Sequence, residues 1–183
     1  IIVSDLDEIP NLSNINFTEI DKEILIFKQK MFYYKFNLFY KNFNWFGSKA
    51  TKKKNFVSPQ WLRNIKNKFY PFWRFDTLFS KLKYNNIKFI ENGGWHFTCI
   101  KKPEDVQKKL LTFAHHQDFE DAKISLKDLK DRMNKKIILY DHKLDKKNQN
   151  KWDTNIKLVK INDEGLPFYL QNNKEKFSDW FEN

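Results

Sequence analysis

The residues best suited to chemistry are the acids of the opening stretch, Ile1-Ile2-Val3-Ser4-Asp5-Leu6-Asp7-Glu8-Ile9-Pro10. The apolar, β-branched start is typical of a buried strand, and the acids follow where that strand ends. Asp5 and Asp7 are two apart, so an extended backbone would direct both carboxylates to one side. Paired carboxylates repel each other unless a cation lies between them, and Mg²⁺ is usually held by one or two carboxylates plus substrate phosphates. This spacing therefore favours a metal–phosphate site. A solvated acidic loop is the alternative, because D-x-D is short and common.

A second candidate is the run Gly93-Gly94-Trp95-His96, which follows a predicted strand. Glycine permits positive φ and close backbone approach, so this turn is expected to hold Trp95 and His96 in constrained positions. His96 could complete a metal site or contact phosphate, or it could be a structural hydrogen-bonding residue. Trp95 could stack on a sugar or simply pack in the core.

Length and composition indicate one domain of 183 residues with a net charge of +11. The positive charge does not predict nucleic-acid binding here, because the basic residues are nearly all lysines spread along the chain. No apolar run approaches the ~20 residues of a membrane span, and the single Cys99 excludes an intrachain disulfide. The chain begins with Ile1 inside a predicted strand, so we expect a fragment that lacks upstream residues.

Local signals predict a mixed set of helices and strands. Acids in a first turn favour a helix over residues 18–30, whereas alternating aromatics favour strands over 31–46. Helix start signals occur at Ser58-Pro59, at Pro103 and at Ser125. Further strands are expected over residues 87–90, 95–100, 137–140 and 156–161, with a short helix possible over 76–82.

Several separated blocks together resemble glycosyltransferase family 17, the family of β-1,4-mannosyl-glycoprotein 4-β-N-acetylglucosaminyltransferase. The resemblance spans nearly the whole chain, and D-x-D-E-I-P and G-W-H are specific only in combination. In chain order, the blocks are Ser4-Asp5-Leu6-Asp7-Glu8-Ile9-Pro10, Trp45-Phe46-Gly47, Gly94-Trp95-His96-Phe97-Thr98, Pro103-Glu104 with Lys109-Leu110, Phe113-Ala114-His115, and Leu166-Pro167 with Tyr169-Leu170.

The resemblance implies an α/β fold of the GT-A nucleotide-diphospho-sugar transferase type. Residues 1–183 would be the C-terminal part of that single domain, lacking the N-terminal βαβ region that binds the uridine. The opening stretch would then lie in the middle of the sheet. The implied activity is inverting transfer of a sugar, N-acetylglucosamine in characterised members, from a UDP-sugar donor to a hydroxyl of a mannose-containing or other glycan acceptor.

Residue roles follow from this resemblance together with the residue types. Mn²⁺ or Mg²⁺ is the expected cofactor, with Asp7 as its direct ligand and Asp5 and His115 as further candidates. The donor is expected to contact Asp5, Glu8, Trp95, His96 and Arg63. An inverting transfer also needs a base for the acceptor hydroxyl, and the candidates are Asp118, Glu91 and Glu120.

Two other classes of function stay open. The D-L-D-E strand end is also similar to that of haloacid-dehalogenase phosphatases, in which the first Asp is the nucleophile. A non-enzymatic, lysine-rich nucleic-acid-binding module is the other alternative. Membrane association is undetermined by the sequence. We expect a cytoplasmic protein if the source is prokaryotic or viral, and a Golgi membrane protein if upstream residues carry an anchor.

Overall fold

Seven strands form one mixed sheet in a computed structural model that describes residues 1–13, 15–112, 116–144 and 148–183. The main strand order is β1-β4-β3-β6-β2, with β5 also pairing with β3 and β7 with β4. The β3–β5 pair is parallel, whereas β1–β4, β2–β6 and β4–β7 are antiparallel. The chain therefore has the predicted α/β class. The strands are β1 (Ile2–Val3), β2 (Glu8–Pro10), β3 (Ile24–Tyr33), β4 (Leu38–Thr51), β5 (Ile87–Ile90), β6 (Gly94–Thr98) and β7 (Val159–Lys160).

The first strand is present but less buried than predicted. β1 pairs with β4 in the register Ile2↔Ala50 and Val3↔Lys49. Ile1 and Ile2 are 48% and 37% exposed. β1 stands at one end of the main strand order of the described strands. The position in the middle of a larger sheet, joined there by an upstream region, stays a prediction.

The helix predicted over residues 18–30 is wrong, because its second half, residues 24–30, belongs to β3. Ile24 to Phe27 are four consecutive buried residues, and an amphipathic helix would turn some of them towards solvent. A strand with neighbours on both sides buries such a run completely. The acids that suggested a helix start precede β3 in turns and irregular backbone.

The residues pack in space into two compact units, and the first unit comprises residues 1–31 and 43–96. Side chains of β3 alternate between two apolar clusters in this unit. Ile24 and Ile26 pack with Leu62, Ile65 and Ile87, whereas the neighbouring Leu25 and Phe27 pack with Ala50.

A short helix in the first unit, α1 (Pro59–Asn64), begins where the sequence predicts. The Ser58 hydroxyl accepts a hydrogen bond from the Trp61 N–H at 3.1 Å, and Pro59 occupies the first helical position. Leu62 is the helix's buried residue and belongs to the apolar cluster around Ile24.

The second unit comprises residues 32–42 and 97–183 and carries the other helices described. Those are α2 (Pro103–Thr112), α3 (His116–Asp121), α4 (Leu126–Asn134) and α5 (Phe168–Asn172). Val106, Phe119 and Leu129 are the buried residues of α2, α3 and α4. The strands predicted over 137–140 and 156–161 are reduced to the bridge Ile137↔Lys157 and β7, and the possible helix over 76–82 is only a 3₁₀ turn at Phe75–Thr77.

The predicted cap of α4 is confirmed as a reciprocal capping box. The Ser125 hydroxyl accepts from the Asp128 N–H at 3.2 Å, and the Asp128 carboxylate accepts from the Ser125 N–H at 2.9 Å. Two amides that the helix cannot satisfy are thereby hydrogen-bonded.

We expect Ser125→Ala to lower the free energy of unfolding by about 1 kcal/mol, because the Asp128 N–H loses its acceptor. Ser125→Asn, which can also cap, should retain most of the stability. Urea denaturation followed by circular dichroism measures both. Equal stability of the alanine variant and the parent chain would mean that the cap contributes nothing.

Candidate functional site

The opening acids lie in a tight turn, which we call the acid turn (Asp5–Glu8). The Glu8 N–H donates to the Asp5 carbonyl at 3.1 Å, and the Asp5 N–H donates to Glu8 Oε2, also at 3.1 Å. The predicted extended arrangement of Asp5 and Asp7 is wrong, because residues 6 and 7 turn the chain. Leu6 at the tip is fully exposed, while the two Asp side chains are 41% and 34% exposed.

The Glu8 carboxylate is the buried centre of this site. Trp45 donates its indole N–H to Glu8 Oε1 at 2.7 Å, and the Ser48 hydroxyl lies 3.5 Å from Oε2. Ser48 in turn contacts the Ser4 hydroxyl and accepts from Gln29 Nε2 at 3.0 Å. These contacts join β2, β3 and β4 behind the acid turn.

His96 stands directly opposite Glu8 in the β2–β6 pair. Its Nδ1 is 3.9 Å from Glu8 Oε1, and its Nε2 is 3.9 Å from Asp7 Oδ2, so the ring faces both acids. The ring packs against Trp45 at a centroid distance of 4.5 Å. Nδ1 is buried without a hydrogen-bond partner among the residues that the structure describes.

Two glycines allow the strands to approach this closely. Gly94 has a φ of +125°, and a Cβ there would lie 2.1 Å from the Ile9 carbonyl oxygen. The expected constrained turn before His96 is therefore present. At Gly47, a Cβ would lie 2.1 Å from Gln29 Oε1 and 2.6 Å from Glu8 Cδ.

Two hydrogen bonds and the facing His96 ring keep the buried Glu8 ionised. Burial by itself raises the pKa of a carboxyl, but the His96 ring, the Trp45 indole and the Asp5 N–H together hold the pKa of Glu8 below its ordinary value. The site therefore contains a fixed negative charge at neutral pH.

Arg63 connects helix α1 to the acid turn. Its Nη2 donates to Asp5 Oδ2 at 2.9 Å, in an ion pair that is half-exposed on both sides. Lys49 binds the same end of the helix. Its ammonium donates to the Arg63 carbonyl at 2.8 Å and to the Ile65 carbonyl. Lys49 is 4% exposed, and its burial lowers its pKa to about 8.

The structure thus brings together five of the predicted site residues, Asp5, Asp7, Glu8, Arg63 and His96. Trp95 neighbours His96 on β6, and strand alternation directs it to the opposite face.

Of the three base candidates, Glu91 belongs to the first unit, and Asp118 and Glu120 belong to the second. Glu91 follows β5 and forms an ion pair with Lys28. Asp118 and Glu120 belong to α3 in the second unit, where Asp118 pairs with the buried Lys151 at 2.9 Å and Glu120 is exposed. His115, with Phe113 and Ala114, lies outside the described residues.

The side chains that the structure describes do not by themselves form a complete metal cage. In the part of the chain that the structure describes, no group of three or more His, Cys, Asp or Glu side chains is arranged to hold a metal ion. The half-exposed carboxylates of Asp5 and Asp7 are the oxygen ligands that the site can offer.

Sequence reasoning missed Gln29, Ser48 and Lys49. Gln29 was placed at the end of a helix, and it stands between Lys28 and Lys30, so its neighbours gave no signal that it is buried. Lys49 stands just before a lysine-rich loop, so composition gave no signal that it is buried.

Comparison with protein-family models, with curated proteins and with solved structures gave no match to this chain.

We expect Gly47→Ala to destabilise the protein by about 1–3 kcal/mol, because the new methyl overlaps Gln29 and the Glu8 carboxylate. Gly165→Ala is the matched control, since its closest contact is the flexible end of Ile161 at 2.9 Å, and it should cost less. Chemical denaturation of both variants measures the difference. A harmless Gly47→Ala would show that the site tolerates displacement of Glu8.

Lys49 should make stability rise with pH above about 8. Between about pH 8 and the ordinary lysine value of 10.5, the unfolded chain binds a proton that the native state lacks, so the free energy of unfolding increases with pH. Lys49→Met should remove a rise on the order of 2–3 kcal/mol. Urea titrations from pH 7 to about pH 10.5 test this, with Lys52→Met controlling for loss of an exposed charge. Identical pH profiles for the parent chain and Lys49→Met would contradict it.

Proposed function

We propose that the protein is a metal-dependent glycosyltransferase that uses a nucleoside-diphosphate sugar, with UDP-N-acetylglucosamine as the favoured donor. One observation carries the proposal: three blocks of the family resemblance, far apart in sequence, contact one another. Glu8 of the first block accepts from Trp45 of the second and faces His96 of the third. A solvated acidic loop would not require a buried carboxylate, an indole donor and a histidine behind it.

The acid turn suits a divalent cation that is shared with a substrate. Mg²⁺ or Mn²⁺ would be held by Asp7, with Asp5 nearby, and phosphate oxygens and water would complete its ligands. When bound, the cation neutralises the negative charge that develops on the departing nucleoside diphosphate.

The remaining residues of the cluster position the acids. Buried Glu8 closes the turn through the Asp5 N–H, and Arg63 orients the Asp5 carboxylate. The buried His96 ring places its Nε2 3.9 Å from Asp7 Oδ2. The base stays a prediction among Glu91, Asp118 and Glu120. No observation on the described residues favours the phosphatase or the nucleic-acid-binding alternative.

Asp7→Asn should reduce sugar transfer by about 100-fold or more, because charge stabilisation at the leaving group is lost. The assay uses the natural protein with whatever sequence flanks residues 1–183, UDP-N-acetylglucosamine, Mn²⁺ and a mannose-bearing acceptor. Asp21→Asn, which removes an acid whose side chain is 83% exposed, should leave the rate unchanged.

Metal dependence provides the second arm of this experiment. EDTA should abolish transfer by the parent protein, and Mn²⁺ should restore it. Full activity in EDTA and in Asp7→Asn would refute the metal role, whereas release of phosphate from a phosphomonoester without an acceptor would favour the phosphatase alternative.

A further inference from the structure

A second surface of the first unit, which we call the aromatic loop (residues 66–83), exposes an unusual amount of apolar area. Six large apolar side chains within residues 69–79 are each more than 60% exposed, and Phe72 and Phe79 reach 83% and 90%. Such a patch on a folded surface indicates an interaction site. The six are Phe69, Phe72, Trp73, Phe75, Leu78 and Phe79.

Polar contacts fix the loop in this conformation. The Asp76 carboxylate accepts two hydrogen bonds from Arg74 and one from Lys83, each at 2.7 Å. Tyr70 is buried beneath them, with Arg74 and Lys83 at 5.7 and 5.9 Å from its ring centroid. The charged groups therefore bond within the loop, while the apolar groups face solvent.

Both ends of the loop are anchored to the body of the unit near helix α1. The Lys66 N–H donates to the Leu82 carbonyl at 2.9 Å, which closes the base of the loop. The Trp61 indole of α1 donates to the Lys81 carbonyl at 2.9 Å. Because the loop is closed and anchored, its aromatic side chains are held in place before binding. Little conformational entropy is therefore lost when a partner binds.

The charge of the loop selects between possible partners. It carries five basic side chains and a single acid, Asp76, which two of the basic groups already neutralise. A second copy would bring the same positive loop against this one in a symmetric contact, which like charges disfavour. Anionic lipid headgroups are complementary to it. The basic residues are Lys66, Lys68, Arg74, Lys81 and Lys83.

We propose that the aromatic loop docks this protein on the surface of an anionic bilayer. Phe, Trp and Leu enter the boundary between headgroups and acyl chains, and the flanking lysines bind the headgroups. No helix among the described residues is long and apolar enough to cross a membrane. The inference is independent of the proposed sugar transfer.

Cosedimentation with phosphatidylcholine vesicles, with and without phosphatidylserine, tests the proposal on the full chain. The parent protein should bind the anionic vesicles, and high salt should weaken binding. Phe72→Ser/Phe79→Ser should bind at least about tenfold more weakly. The matched control is Val57→Ser/Phe168→Ser, which removes exposed apolar groups outside the loop and should bind like the parent.

A charge variant separates the headgroup contribution from insertion. Lys68→Gln/Lys81→Gln should lose about tenfold in affinity for anionic vesicles and little for neutral ones. Lys53→Gln/Lys54→Gln removes equal charge elsewhere and should lose less. Circular dichroism verifies that each variant is folded.

Two outcomes would overturn the proposal. One is equal binding by the parent and Phe72→Ser/Phe79→Ser. The other is absence of vesicle binding together with self-association of the parent, measured by sedimentation velocity, that the same double variant abolishes. That second result would assign the loop to an interface between copies of this chain.

Discussion

The buried Glu8 carboxylate is the interaction on which the site depends. Removing a charge from water costs several kcal/mol unless other groups replace the lost hydrogen bonds. Trp45 and the Asp5 N–H supply those hydrogen bonds, and the His96 ring faces the same carboxylate. Because these three groups come from β4, from the turn and from β6, the position of the carboxylate constrains the position of each of them. Its burial leaves the two Asp side chains as the acids that solvent can reach.

A second set of contacts connects helix α1 to the acid turn. Lys49 is buried under the end of the helix and bonds to the Arg63 and Ile65 carbonyls. Arg63 then reaches Asp5 with its side chain. The half-exposed ion pair contributes little stability by itself. The ion pair instead orients the Asp5 carboxylate, because the buried Lys49 ammonium holds the backbone of Arg63 in place.

Local signals in the sequence correctly predicted the features that depend on neighbouring residues, namely where three of the helices begin. Ser58, Pro103 and Ser125 mark helix starts because caps and proline act within one turn. The α/β class was what the family resemblance implied. The first seven residues of β3 were mistaken for a helix, since only the neighbouring strands in the sheet explain why Ile24 to Phe27 are all buried. Five candidate site residues meet as a group. Lys49 and Gln29 could not be found, because their burial depends on the register of strands far apart in sequence.

The pairing of Glu8 with His96 has a consequence for the order in which parts of the first unit fold during synthesis. The two residues are opposite one another in the β2–β6 ladder, yet most of the first unit separates them along the chain. During synthesis the acid turn leaves the ribosome long before its strand partner exists. Until then Glu8 is an ordinary solvated acid, and the loop-closure entropy of the intervening chain opposes early pairing. The acidic centre is therefore one of the later parts of this unit to be completed.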